Sequence, residues 1–205
     1  MDKCSRYFGL LVILTSLTFS IHAQNKDIEW LRQINIERNQ SLDPTFKFLT
    51  HTTTTVMIGA PLSVLGLGLI KNDSVLTRNG LYIISTVFVN SAFTIGFKLA
   101  VHRPRPFVSY PEIVKLAKAG SYSFPSGHTS SAFSSATSLF LAFPKWYVGV
   151  PAFVWASGVG YSRMHLGVHY PSDVAAGALI GAGSAYLCYW LNKKIHVHEK
   201  KVRWI

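Results

Sequence analysis

Residues 81–101 read LYIISTVFVNSAFTIGFKLAV, an unbroken apolar run whose one charged side chain, Lys98, stands near its end. A helix of this length and composition is long enough to cross the hydrocarbon core of a bilayer. The same run inside a soluble domain would be a buried core helix, so the rest of the chain has to decide. Over 205 residues the hydrophobic share is 49% and the charged share only 14%, against about 25% charged in a soluble domain. Mean hydropathy is +0.26. Surface that carries so little charge is surface that faces lipid.

Working outward, four further apolar runs have comparable character: Phe48–Ile70, His128–Phe143, Trp146–Tyr161 and Asp173–Leu191. The two central ones are short for a span. Ser130, Ser131, Ser134, Ser135 and Ser138 recur in the third, and small residues let helices approach closely in lipid. The expected fold class is all-α: an integral-membrane helical bundle of about five transmembrane helices after a signal peptide, occupying residues 48–192.

The remaining segments frame that domain. Residues 1–23 carry Lys3 and Arg6 before an apolar core and end on Ala23, which reads as a secretory signal. An uncleaved anchor helix is the alternative and gives the same orientation. Over 24–47, Ile28, Leu31, Ile34 and Ile36 fit an amphipathic helix lying at the membrane surface. Residues 193–205 form a basic tail with Lys193, Lys194, Lys200, Lys201 and Arg203.

By the positive-inside rule that tail is cytoplasmic, as are the loops holding Lys71, Arg78 and Lys145. Loops 102–127 and 162–172 then face outward. The net charge of +11 forms no stripe on a soluble face, which argues against nucleic acid as a partner. Cys4 and Cys188 lie at opposite ends of the chain and support neither a disulfide framework nor a metal site.

The outward loops collect the chemistry. The first runs from Lys98 through Arg103-Pro104-Arg105-Pro106 to Pro125-Ser126-Gly127-His128; the second contains Ser162-Arg163, His165, His169, Tyr170, Pro171 and Asp173. Lysine and arginines together favour a tetrahedral dianion, and guanidinium forks bind phosphate oxygens in pairs. Ser126-Gly127-His128 at a helix start adds backbone N–H donors and the positive dipole end. Only Glu112 and Asp173 are acidic in these loops and at their edges, too few for a two-metal phosphatase, so no cofactor and no metal are expected.

A side chain must then attack phosphorus. His169 with Asp173 four residues on supplies an oriented nucleophile. Pro171 suits a first helical turn, which leaves His169 just outside the helix. His128 can protonate the leaving oxygen. As a loop residue, His169 is expected to contribute little to bundle packing.

These three stretches resemble the motifs of the type 2 phosphatidic acid phosphatase (PAP2) superfamily. Lysine, six residues and Arg-Pro appear as Lys98 to Arg105-Pro106. Pro-Ser-Gly-His appears as Pro125 to His128. Ser-Arg, five residues, His, three residues and Asp appear as Ser162-Arg163, His169 and Asp173. Each motif alone is weak; the ordered trio is specific. The resemblance implies a phosphohistidine on His169, acid/base work by His128, and orientation of His169 by Asp173. It implies phosphate binding by Lys98, Arg105, Ser126, Gly127 and Arg163.

The function that follows is metal-independent hydrolysis of a lipid phosphate or diphosphate: a polyprenyl diphosphate, phosphatidylglycerol phosphate, phosphatidate or lipid A. The setting is a multi-pass protein of a bacterial inner membrane with a periplasmic site, in contact with membrane lipids. A lipid phosphotransferase would use the same residues, and a vanadium-haloperoxidase-like enzyme is disfavoured by the long apolar runs. His102 and His165 read as interfacial or packing residues. Tyr110, Tyr122, Tyr161, Tyr170 and Trp146 read as an aromatic belt.

Overall fold

The computed structural model describes the backbone of residues 26–202 and the side chains of residues 26–194; the signal segment expected over 1–23 lies outside them. Every regular element among the described residues is helical. Helix α1 covers residues 26–35. After a single 3-10 turn, Gln40–Leu42, come α2 (Asp43–Ile70), α3 (Ser74–Val101), the short α4 (Pro106–Ser109), α5 (Gly127–Ala142), α6 (Trp146–His165) and α7 (Pro171–Val202). The five long helices coincide with the five apolar runs. Three segments, Gln40–Ile70, Ser74–Ser109 and Pro171–Lys194, are long and apolar enough to cross a membrane.

Local sequence sets the boundaries. Pro44 opens α2, where its missing N–H costs nothing. Asp73 caps α3, its Oδ1 accepting from the N–H groups of Val75 at 2.8 Å and Leu76 at 3.1 Å. Helix α6 is stopped just past its last residue, His165, by Gly167, which takes φ +69. There the Val168 N–H reaches back to the Arg163 carbonyl at 3.1 Å and the Gly167 N–H to Met164 at 2.9 Å, the paired bonds of a left-handed glycine stop. A side chain on Gly167 would also meet the Val114 carbonyl. This turn aims the chain so that His169 and Pro171 follow directly.

The bundle is polar inside and apolar outside. Thr86, Asn90, Ser130, Ser134, Ser135 and Ser138 are buried, whereas Ile70 is 80% exposed, Leu179 75% and Phe88 71%. Between lipid and interior there is no hydrophobic gain from burying a leucine, so contacts are made by small side chains and hydroxyls. Ser130 Oγ meets Thr94 Oγ1 at 3.0 Å and donates to Asn90 Oδ1. Tyr82 donates to the Ala185 carbonyl at 3.1 Å.

Helix α5 is central and packs on α2, α3, α6 and α7. Its closest approach is to α7, where Gly177 and Gly181 face it. A Cβ on Gly177 would lie 2.6 Å from the Ser126 carbonyl oxygen, and one on Gly181 would overlap the Ser130 carbonyl. Overpacking of this kind typically costs about 1–3 kcal/mol, and here the obstacle is backbone. Gly181→Val is therefore expected to lower the thermal unfolding midpoint in detergent by several degrees. An unchanged midpoint would show that α5 and α7 do not touch there.

Helix α1 is packed onto the body of the protein. Ile28 and Leu31 are buried with Ile113 and Tyr170. Asn35 is fully buried, donating to the carbonyls of Val114 at 3.1 Å and His165 at 2.8 Å and accepting the Val114 N–H at 2.8 Å. The segment is thus fastened across the two loops that were expected to carry the chemistry.

Candidate active site

The three motif stretches meet at one end of the bundle. They are joined by main chain: the Ser126 N–H donates to the Asp173 carbonyl at 3.0 Å, and the Ser123 N–H to the Arg103 carbonyl at 2.8 Å. Helix α7 starts at Pro171, which sets His169 two residues ahead of it and Asp173 in its first turn.

His169 is only 2% exposed, which corrects the expectation of a loop histidine with little part in packing. Its Nδ1 lies 3.5 Å from Asp173 Oδ2 and makes no hydrogen bond. Its Nε2 lies 3.3 Å from Arg105 Nη1. A guanidinium can only donate, so Nε2 presents its lone pair and the ring proton sits on Nδ1, toward Asp173. Burial holds His169 down at about 4, against the opposing pull of the Asp173 carboxylate; Arg105 and Arg163 push the same way as burial. The ring is neutral at pH 7.

The sign of the pH effect on stability follows. An unfolded histidine takes up a proton near pH 6.5, whereas the folded one resists until about pH 4. Stability from this group is complete above 6.5 and drains away as pH falls toward 4. The expected result is a thermal midpoint that drops over that window more steeply in wild type than in His169→Gln. Parallel curves would show that His169 is not held neutral.

Asp173 is fully buried and saturated with donors. Oδ1 accepts from Arg103 Nη1 at 2.7 Å; Oδ2 accepts the Tyr170 N–H at 3.0 Å and the Ser123 hydroxyl. Arg105 is wedged among carbonyls, donating from Nε to Ser121 at 2.6 Å and from Nη1 to Val168 at 2.8 Å. Arg163 is 2% exposed. Its Nη1 donates to Thr50 Oγ1 at 2.6 Å, its Nε has no partner, and no carboxylate among the described residues pairs with it. A buried guanidinium left so is costly unless an anion completes it.

Lys98 donates to the Tyr122 carbonyl at 2.6 Å. With Arg103, Arg105 and the apolar Leu99, Phe107 and Val108 it lines a cavity of about 640 Å³. Ser126 precedes α5, its hydroxyl 2.8 Å from Thr129 Oγ1. Gly127 and His128 line a second cavity of about 250 Å³ with Asn90, Thr94 and Ser131. His128 lies in the first turn of α5, directly after Gly127. All eight residues singled out in the sequence thus gather at the same end of the bundle. Among the described residues, no three His, Cys, Asp or Glu side chains converge as metal ligands.

One reading changes and one is narrowed. Tyr170 is not a belt residue: it is 5% exposed and lies under Arg103, whose Cζ is 3.8 Å from the ring centre. His165 is a packing residue with a partner, its Nε2 2.7 Å from Asp43 Oδ1 and its ring 4.4 Å from that of Phe46. Sequence reasoning missed Arg103 and Asp27. Arg103 binds Asp27 and Asp173 at once, each at 2.7 Å. Its only trace was the doubled Arg-Pro; Asp27, distant in the chain, left none.

A helical membrane bundle thus gathers at one end a buried histidine, a buried carboxylate and a guanidinium whose Nε has no partner. The chain belongs to the PAP2 superfamily, whose sequence model matches residues 77–196. It is 34% identical over 90 residues to the lipid A 4'-phosphatase of Bacteroides thetaiotaomicron, covering 44% of this chain and 40% of that one. It is 38% identical over 91 residues to the undecaprenyl-diphosphatase of Sulfolobus acidocaldarius, covering 44% and 43%. The chain therefore spans less than half the length of these curated relatives. The fold is similar to the crystal structure of a transmembrane PAP2-type phosphatidylglycerolphosphate phosphatase from Bacillus subtilis. The TM-score is 0.72 at 25% identity, covering 95% of this chain and 98% of that one.

Proposed function

We propose that the protein hydrolyses a lipid phosphate or diphosphate without a metal, through a phosphohistidine on His169. The observation that carries this reading is the pairing of a buried, neutral His169 with the uncompensated guanidinium of Arg163. One is a nucleophile whose Nε2 is unprotonated, the other half of an anion site.

The substrate phosphate is held by Arg163, Arg105 and Lys98, by the Ser126 hydroxyl and by the Gly127 N–H that opens α5. On binding, Arg105 Nη1 turns from Nε2 to a phosphoryl oxygen. His169 Nε2 then attacks phosphorus and the bond to the lipid oxygen breaks. His128, protonated once the phosphate anion offsets the neighbouring guanidinium charges, gives its proton to that leaving oxygen. The phosphorylated ring is cationic with its proton on Nδ1, and Asp173 stabilises it. Neutral His128 next takes a proton from water; the hydroxide attacks phosphorus, the N–P bond breaks and inorganic phosphate leaves. The surrounding cations offset charge on the equatorial oxygens throughout.

Relatives that act on lipid A and on undecaprenyl diphosphate support substrates of those two classes, and the name of the structural neighbour adds phosphatidylglycerol phosphate. A bacterial inner membrane with the site on the periplasmic side fits the charge distribution of the loops. The test is phosphate release by the detergent-purified protein, in EDTA, from a panel of lipid monophosphates and diphosphates. Release that persists in EDTA is expected. Dependence on an added divalent ion would overturn the metal-free reading.

A further inference from the structure

Helix α1 lies wholly before residue 77, where the family match begins, yet its first turn holds Arg103 and Ser172 beside the candidate catalytic carboxylate. Asp27 is 6% exposed and both its oxygens are used. Oδ1 accepts the Ser172 N–H at 2.8 Å; Oδ2 accepts from Arg103 Nη2 at 2.7 Å and from the Ser172 hydroxyl. Arg103 Nη1 in turn donates at 2.7 Å to both the Ser172 hydroxyl and Asp173 Oδ1. One guanidinium is thus shared between two carboxylates, one nitrogen each, above the ring of Tyr170.

That sharing matters because an isolated Arg–carboxylate pair prefers both parallel bonds. With Nη2 occupied by Asp27, Arg103 meets Asp173 through Oδ1 alone. Oδ2 is left to the Tyr170 N–H, to Ser123 and to His169 Nδ1. Without the Asp27 carboxylate, the fork can close on both oxygens of Asp173 and draw Oδ2 away from the histidine. We propose that Asp27 is a positioning residue for the hydrolysis, acting through Arg103 to reserve Asp173 Oδ2 for His169. The segment ahead of the family domain is thereby a working part of the active site. This inference rests on the phosphohistidine reading above.

A mere anchoring role for α1 makes a different prediction. The helix is also held by Arg32, whose Nη2 lies 2.8 Å from Glu112 Oε1 at an exposed position away from the site. The experiment compares kcat and KM of full-length wild type, Asp27→Asn, Arg103→Gln, the double variant and Arg32→Gln on one lipid phosphate, with thermal midpoints recorded. Asp27→Asn is expected to lower kcat by about tenfold to a hundredfold, as small misplacements of a reacting group do, with KM held within about twofold. In the Arg103→Gln background the same change is expected to cost less than about threefold, because the competing fork is gone. Arg32→Gln is expected to match wild type in both constants.

Equal losses from Asp27→Asn in the two backgrounds would overturn the proposal, as would a parallel loss in Arg32→Gln or a rise in KM alone. Should Asp27→Asn fail to fold, Asp27→Ser takes its place. It also withdraws the carboxylate from Arg103 Nη2, and normal kcat there overturns the proposal equally. Wild type that releases no phosphate strikes at the underlying reading instead, so the two failures are distinguishable.

Discussion

Replacing His169 by alanine is expected to slow phosphate release at least about 10⁴-fold, the scale on which loss of a covalent nucleophile is felt. The cause is chemical. Nε2 is the unprotonated ring nitrogen, aimed toward Arg105. Because His169 is buried, truncation also opens a small cavity and leaves Asp173 Oδ2 without its ring neighbour. The thermal midpoint is therefore expected to fall somewhat, and His169→Gln serves as the control that keeps more of the volume. The check is release from a lipid phosphate at equal folded concentration. Activity within tenfold of wild type in both variants would remove His169 from the chemistry.

The second large effect belongs to Arg163. Arg163→Lys is expected to lower kcat/KM by about 10²–10³-fold, the range for removing one preorganised electrostatic donor. A guanidinium can hold Thr50 Oγ1 through Nη1 and still present Nε and its other N–H groups to an anion. An ammonium is a single point, and satisfying Thr50 takes it away from the phosphate. A buried charge is kept in both cases, so stability should change far less than turnover. A variant with near-normal kcat/KM would mean that the phosphate is bound elsewhere.

The sequence was most legible where physics is periodic or chemistry is rare. The long helices follow from apolar runs bounded by Asp43-Pro44, Asp73 and Pro171, because backbone groups in lipid must bond within their own segment. Lys98, Arg105, His128, Arg163, His169 and Asp173 stand out because charge beside a membrane span is costly and needs a reason. The misses share another cause. The burial of His169, the place of Tyr170 under Arg103, and the grip of Asp27 on Arg103 and Ser172 are all contacts between distant parts of the chain. No local pattern encodes them. Asp27 sits in an amphipathic helix whose spacing says only that one face is covered, not that the cover is a catalytic loop.

The inversion of polarity across the bundle has a consequence for how such a chain can change. Leu179, Phe88 and Ile70 face outward and fit against no particular neighbour, so one oily residue there serves about as well as another. Gly177 and Gly181 admit almost no substitute, because a single added carbon strikes backbone. Over time the bulky letters of this sequence are free to drift with the membrane around them, while the smallest ones hold the blueprint of assembly.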